Sequence, residues 1–306
     1  MDTATDLRID HDGDALRVVL TRPRAINSLT GGMLEAIGGA VVGARTLELS
    51  GEGPRGYCAG ADVRELRSLA MRDPQAAGDW LAREYAVDLA VSRLAGTAHL
   101  HGVSMGGGLG LAARLHVVSA ADLVLAMPET GIGLWPDVGM CFELSRAPRF
   151  AGRHLAMTGA SIDAASALWA GLVDEVDGGA DADGSDLARD ADWIEECYAS
   201  TDPVEVLRRL AERPEAPARE AAELIATRSP LSVAVALEAV VRAEEAAGVA
   251  QVLATDEALG RSFMRSSDFV EGVRAQLVDK DRRPHWRHRA VDEVTRAEVE
   301  AMFDPD

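Results

Sequence analysis

A chain of 306 residues that is 47% hydrophobic can bury a substantial core, which excludes wholesale disorder. Its 31 basic and 50 acidic residues leave a net charge of −19, which argues against nucleic acid or an anionic membrane as the main partner. Cys58, Cys141 and Cys197 are an odd set without a CxxC pair, so free thiols and a reducing cytoplasm are expected rather than a disulfide framework. No basic n-region followed by an apolar run opens the chain, and no apolar stretch of about 18 residues occurs. A soluble, cytoplasmic protein is the expectation.

Residues 7 to 20 predict a hairpin, since "LRIDH" and "ALRVVL" alternate about the Asp12-Gly13 turn. A poor helix follows near residues 33 to 42, weakened by Gly38 and Gly39. "TLELSG" reads as a strand and "GPRGYCAGAD" as a glycine-rich loop, with helices from Val63 and from about Pro74 to Leu94. The next unit is a strand, "TAHLHGV", then a glycine run and the short helix "LGLAARL". "VVSAADLVLAMPE" is a strand region, and helices are expected after Pro136 and from Ser161. Strands alternating with helices to about residue 176 predict an α/β body. From residue 187 only helical periodicity is present, with Ser229-Pro230 as an N-cap and N1 pair. The organisation read from the chain is therefore an α/β core over residues 1 to 186 and a C-terminal helical region over 187 to 306. Between them, residues 174 to 192 carry eight acids and one arginine. That composition predicts a solvated linker, because "DADGSD" lacks the spacing and closing Glu of a calcium-binding EF-hand loop.

Four patterns carry possible chemistry. Gly102-Val103-Ser104-Met105-Gly106 matches the G-x-S-x-G nucleophile elbow, with Asp137 and then His154, His285 or His288 in permissible order downstream. The loops "YCAGAD" (57 to 62) and "SMGGGLG" (104 to 110) could each present a backbone N–H to a developing oxyanion, or be tight turns. "MPETGIGLWPDVG" (127 to 139) places Glu129 and Asp137 in apolar surroundings, where a charge is costly unless paired or used. Paired carboxyls there can have divergent pKa values and serve as acid or base, whereas the plainer reading makes each a helix cap or an ion-pair partner. His99-x-His101 offers two imidazoles on one strand face without a further metal ligand. Cys58 reads as a small core residue, and Glu84 lies among Leu81, Tyr85 and Leu89 on a predicted helix.

Taken in order, "RPRAINSL", "GYCAGADVREL", "HGVSMGGGLGL", "AADLVLAMPETGIGLWPDVG", "LAMTGASIDAASALWAGLVDEV" and "SDFVEGVRAQLVDKDRRPHW" resemble the crotonase (enoyl-CoA hydratase/isomerase) superfamily. The resemblance implies a crotonase-like ββα spiral core with a helical C-terminal region. Enoyl-CoA hydratases carry one Glu two positions after the GGG and a second in the "PE" motif. Here the first position is Gly110, the second is Glu129, and Asp137 is added. That pattern, with the "REY" helix, resembles the 3-hydroxyisobutyryl-CoA hydrolase branch and implies hydrolysis of an acyl-CoA thioester in valine breakdown. By that resemblance, backbone N–H groups of Ala59 and Gly107 would hold the oxyanion. Glu129 would be base or nucleophile, Asp137 would bind the acyl hydroxyl or orient water, and Glu84 would line the acyl pocket. Gly60, Ala61, Asp62 and Gly106 would border the substrate. Arg22 and Arg24 would meet the CoA phosphates, with Lys280 and Arg282 as further candidates. No cofactor or metal is implied, CoA being part of the substrate. The expected partner is a small acyl-CoA, with neither nucleic acid nor membrane, in a homo-oligomer of trimeric or hexameric form. Two alternatives stand beside this reading: a hydratase or isomerase of the same fold, and a non-catalytic acyl-CoA-binding or assembly subunit.

Overall fold

The computed structural model describes residues 6 to 304. The hairpin forms as expected from β1 (Leu7–Asp12) and β2 (Ala15–Leu20). β2 then pairs in parallel with β3 (Thr46–Gly51), β3 with β4 (Ala95–Leu100), β4 with β6 (His116–Ser119) and β6 with β8 (Glu175–Val176). The resulting sheet has the order β1-β2-β3-β4-β6-β8, and β5 (Val103–Met105) and β7 (Val124–Ala126) form a second, parallel pair. The alternation in β2 and β3 turns Leu16, Val18, Leu20, Leu47 and Leu49 into the core. Burying each such side chain is worth about 1.5–3 kcal/mol.

Two stretches that read as single strands each divide between the sheets. "TAHLHGV" breaks at Gly102, whose φ of 47° places the chain where a Cβ would meet Arg55 O at 2.6 Å. "VVSAADLVLAMPE" breaks at a turn in which Leu123 N–H donates to Ala120 O, and Asp122 accepts from Gly102 N–H at 3.2 Å. The two corners are thus bonded to each other, and both strands change sheet at the same level. This step carries the second glycine loop over the first, as the isolated bridge between Cys58 and Ser104 shows.

Helices cover the sheet. α1 (Gly31–Ala40) follows the first loop. α2 (Val63–Ala70) and α3 (Pro74–Val91) cross from β3 to β4, and α4 (Gly107–Ala112) opens on the GGG run. α3 is started by Asp73, which accepts from Ala76 N–H at 3.1 Å, with Pro74 in its first turn. Trp80, Leu81, Glu84, Tyr85, Asp88 and Val91 recur at helical spacing on its buried face. After β7 come α5 (Met140–Leu144), α6 (Ala151–Thr158) and α7 (Ala164–Trp169). The helix expected after Pro136 starts only at Met140, because residues 136 to 139 form a turn with Val138 at φ 52° and Gly139 at φ 77°.

Beyond β8 the elements are helical: α8 (Asp186–Arg189), α9 (Ala191–Tyr198), α10 (Pro203–Glu212), α11 (Ala216–Ala226) and α12 (Pro230–Glu244). They continue with α13 (Val249–Phe263), α14 (Ser267–Val273), a π-helical turn at Arg274–Val278 and α15 (Arg296–Phe303). Ser229 caps α12 through Ser232 N–H, as its sequence predicts. α12 is buried nearly all round and packs on α6, while α13 packs along α3. The C-terminal helices therefore share one core with the sheet. The acidic segment is solvated only in part. Residues 177 to 181 are exposed, but Ser185 caps α8, and Leu187 and Ala191 are buried. Among the described residues no single helix is long and apolar enough to cross a membrane.

Candidate active site

The two glycine loops meet. A cavity of about 290 Å³ opens between Ala59, Gly60 and Ala61 on one side and Met105, Gly106 and Gly107 on the other, with Glu84, Glu129 and Asp137 in its wall. Gly107 lets the loop approach Glu84 closely, since a Cβ there would lie 2.2 Å from Glu84 Oε1 and displace that carboxyl. Its N–H is the first of α4, a position without an intrahelical acceptor. Among the described residues the N–H of Ala61 is also without a backbone acceptor, because Leu29 bonds the groups on either side of it: Leu29 N–H to Gly60 O, and Asp62 N–H to Leu29 O. Ala59 is a correction. Its N–H donates to Ile26 O at 2.8 Å and is not available to a substrate, so the paired amides belong to Ala61 and Gly107.

Three elements bring the carboxyls in. Glu129 opens the 3-10 turn Glu129–Ile132, with its carboxyl against the second loop: a Cβ on Gly106 would meet Oε1 at 2.9 Å. Its Oε2 is buried without a partner, as is Oε1 of Glu84 on α3. Asp137 stands in the turn before α5 and accepts from the Tyr85 hydroxyl at 2.8 Å; it is not a helix cap. Burial pushes Asp137 up to about 6, with the Tyr85 hydrogen bond restraining the rise. Burial also raises Glu129 and Glu84 well above the usual carboxyl range, and the Asp137 charge adds to both.

Two acids that sequence reasoning did not single out lie behind these. Asp88, one turn after Glu84 on α3, has both oxygens buried without partners. Burial raises its pKa, followed by the charges of Glu84, Asp137 and Asp256. Asp256, from α13, accepts from Trp135 Nε1 at 3.0 Å and from Gly139 N–H at 2.8 Å. It thereby grips both flanks of Asp137. Burial and then the Asp137 charge push it up to about 8, against those two hydrogen bonds. Burial and mutual repulsion push all five carboxyls toward the protonated form, so the titration of each depends on the charge of its neighbours. The four-residue spacing of Glu84 and Asp88 on an apolar helix face was the available signal for Asp88. Nothing in "LATDEALG" separates buried Asp256 from exposed Glu257.

Other expected site residues fall outside the cavity. Asp62 caps α2 through Glu65 N–H and lies 3.7 Å from Arg22. Arg22 is further engaged by Ser28 O at 2.5 Å and by Asp6 at 3.7 Å, so it fixes the first loop rather than reaching a ligand. Arg24, Lys280 and Arg282 are exposed and line no part of the cavity. The cation that does line it, Arg228, was not anticipated. The serine elbow is not built. Ser104 sits within β5, fully buried, with its hydroxyl on His101 O at 3.4 Å. His154 is turned to the Tyr198 hydroxyl and pushed down to about 4 by burial, and His288 faces Glu298. His99 is exposed and His101 bonds Gly53 O, so they form no metal pair. Cys58 is the buried small residue expected, its thiol pushed up to about 12 by burial. Position 110 is closed, because a Cβ on Gly110 would lie 2.5 Å from Val138 Cβ and 3.0 Å from Asp88 Oδ2.

Comparison with known proteins agrees with this geometry. Among curated proteins, the mitochondrial 3-hydroxyisobutyryl-CoA hydrolase of Gallus gallus is 28% identical over 99% of this chain and 90% of the relative. That of Homo sapiens is 27% identical over 99% and 89%. Among solved structures, a carnitinyl-CoA dehydratase from Mycobacterium thermoresistibile superimposes with a TM-score of 0.91 at 35% identity, covering 98% of this chain and 97% of that one. An enoyl-CoA hydratase from Rhodobacter sphaeroides does so with a TM-score of 0.91 at 30% identity, covering 98% of each. The family model described as Enoyl-CoA hydratase/isomerase matches residues 15–181 and 175–303. With the fold, the two apposed glycine loops and nearly the whole length matched, the chain belongs to the enoyl-CoA hydratase/isomerase family, the crotonase-fold enzymes.

Proposed function

We propose that this enzyme hydrolyses the thioester of a short β-hydroxyacyl-CoA, with 3-hydroxyisobutyryl-CoA as the leading substrate. The observation that carries the reading is the distribution of acids. Position 110 has neither a side chain nor room for one, while Glu129 and Asp137 line one cavity beside two unengaged amides. Addition of water across a double bond, as the family's hydratases perform it, uses an acid at position 110. Hydrolysis needs a polarised carbonyl and one carboxylate able to handle water. The curated relatives named as 3-hydroxyisobutyryl-CoA hydrolases support the same reading.

In this mechanism the thioester oxygen lies between the N–H groups of Ala61 and Gly107. As the tetrahedral intermediate forms, its negative charge is met by both, and one such donor is typically worth about 3–4 kcal/mol. Glu129 takes a proton from water as the water oxygen bonds to the carbonyl carbon. When the C–S bond breaks, that proton passes to the departing CoA sulfur, leaving the free acid and CoA. Direct attack by Glu129, through an anhydride that water then cleaves, balances equally. Asp137, held by Tyr85, accepts the hydroxyl of the acyl group, and Glu84 closes the wall beside Gly107. Arg24, Lys280 and Arg282 are the exposed cations proposed for the CoA phosphates. A cytoplasmic homo-oligomer, trimeric or hexameric, is the proposed working form; light scattering after gel filtration measures the copy number.

The test is free-thiol release from 3-hydroxyisobutyryl-CoA by wild type and Glu129→Gln, with hydration of crotonyl-CoA and dehydration of carnitinyl-CoA followed in parallel. Release that falls by about 10²–10⁴-fold in the variant, without hydration, supports the proposal. Hydration or dehydration without thiol release overturns it in favour of the second reading, which the 35% identical dehydratase structure favours. Activity on none of them, with CoA thioesters still bound, would favour a non-catalytic subunit.

A further inference from the structure

Among the described residues, Arg228 is a cation without a counter-charge. It stands between α11 and α12, half-buried in the cavity wall, and its Nε donates to Thr158 O at 2.8 Å. The chain on either side is anchored: Thr227 O accepts from Trp286 Nε1 at 3.2 Å, and Ser229 N–H donates to Thr130 O at 3.0 Å. The guanidinium lies over Gly131, where a Cβ would meet Nη1 at 2.8 Å. Among the described residues no carboxylate comes within ion-pair distance of it. Burial lowers its pKa, because removing a guanidinium from water disfavours the charged form. Other arginines removed from water are treated differently: Arg153 meets Glu244 at 2.6 Å and Arg274 meets Glu271 at 2.8 Å.

An unpaired, partly desolvated guanidinium is costly, and here its free donors face a cavity. Gln276 lines the same cavity from the π-helical turn Arg274–Val278, and its amide has no protein partner among the described residues. π-helical turns are rare and are frequent at functional sites. Arg228 and Gln276 thus line one cavity together, in company with the amides of Ala61 and Gly107 and the carboxyls of Glu84, Glu129 and Asp137.

We propose that Arg228 and Gln276 form an anion-recognition site in this cavity that binds an anionic oxygen group carried by the thioester substrate. The proposal rests on the acyl-CoA reading given above. An acyl-CoA can supply that group from either end: a carboxylate on a short acyl chain, or a phosphoryl oxygen of the CoA arm folded back. A guanidinium fork serves both, through paired charge-assisted N–H···O bonds.

Calorimetric binding to Glu129→Gln enzyme, with and without Arg228→Gln, separates the sources. The ligands are malonyl and 3-hydroxypropionyl thioesters, each on CoA and on pantetheine, which lacks the phosphates. If the acyl carboxylate is bound, malonyl binds about 10- to 100-fold tighter than 3-hydroxypropionyl on both carriers, and Arg228→Gln collapses that ratio. If a phosphate is bound, the CoA thioesters hold that advantage over the pantetheine ones, and Arg228→Gln lowers this ratio by about 10- to 100-fold instead, leaving whatever part the exposed cations supply. Arg228→Lys, which keeps the charge but not the fork, gives an intermediate ratio and controls for misfolding. Both ratios unchanged in Arg228→Gln would overturn the proposal while leaving the acyl-CoA reading intact. No binding of any thioester to the parent enzyme would overturn both.

Discussion

Tyr85 donates its hydroxyl to Asp137 at 2.8 Å, and that bond favours the ionised acid against burial. Removing it in Tyr85→Phe raises the pKa of Asp137 above about 6. Since ionised Asp137 is the form that accepts the substrate hydroxyl, the acidic limb of kcat/KM moves to higher pH, by roughly one unit. A pH–rate profile checks this, and an unmoved limb removes Asp137 from the titration. At this scale the chain was partly readable. Glu129 and Asp137 stand out because acids in an apolar run are expensive. Ala61 does not stand out from Ala59, because which amide of a glycine loop stays free depends on what the neighbouring strand bonds. Here Ile26 takes one and leaves the other. Arg228 was equally hidden, since an arginine before Ser-Pro is ordinary until the cavity is seen.

The turn from Pro136 to Gly139 is held by α13. Asp256 accepts from Trp135 and Gly139, Trp135 stacks on Phe263 at 4.9 Å, and Val249 and Leu253 fill the space a Cβ on Gly139 would need. A non-glycine φ of 52° at Val138 is a strained conformation that persists only where its surroundings impose it. Asp256 thus acts as a positioning residue for Asp137. Asp256→Asn leaves one acceptor for two N–H donors and turns an amide N–H toward the indole. The expected result is a fall in kcat of about tenfold with little change in KM. Adding Trp135→Phe removes the competing donor and restores part of the loss, which a double-mutant cycle measures. Equal losses in the single and double variants would deny the positioning role. α4 gives a second prediction. Gly110→Ala drives a Cβ into Val138 and costs about 1–3 kcal/mol in urea unfolding. Gly110→Glu is accordingly not expected to create hydratase activity. Helices and strands were largely legible as elements. Their division at Gly102 and near Ala120 was not, because periodicity does not report which sheet a strand joins.

For the whole molecule, the buried acids make stability depend on pH. Glu84, Asp88 and Asp256 have folded pKa values raised above their unfolded ones, so the folded state holds protons that the unfolded state releases. Their contribution is complete below the ordinary carboxyl pKa of about 4. It is lost as pH rises through the folded values, about 8 for Asp256. The thermal midpoint is therefore expected to fall between pH 5 and 9 (roughly the span from above the unfolded values to above the folded one). Asp88→Asn, which removes an acid without partners, raises the midpoint at pH 8 and flattens the slope. Parallel curves for the two proteins in differential scanning calorimetry would refute this.

By itself the sequence determined the α/β body, the helical C-terminal half, the six ordered motifs that resemble the crotonase superfamily, and the presence of two costly acids. Those properties reside in local periodicity, turn chemistry and short-range spacing, which need no knowledge of distant contacts. Tertiary structure alone decided that Ala61 rather than Ala59 pairs with Gly107, and that Asp88 and Asp256 are buried beside Asp137. It also decided that Ser104 has no base and that Arg228 faces the cavity. Each of these depends on groups far apart in the chain, as Asp256 does on Trp135, and a side chain's burial and hydrogen-bond partners are set by whichever element packs against it.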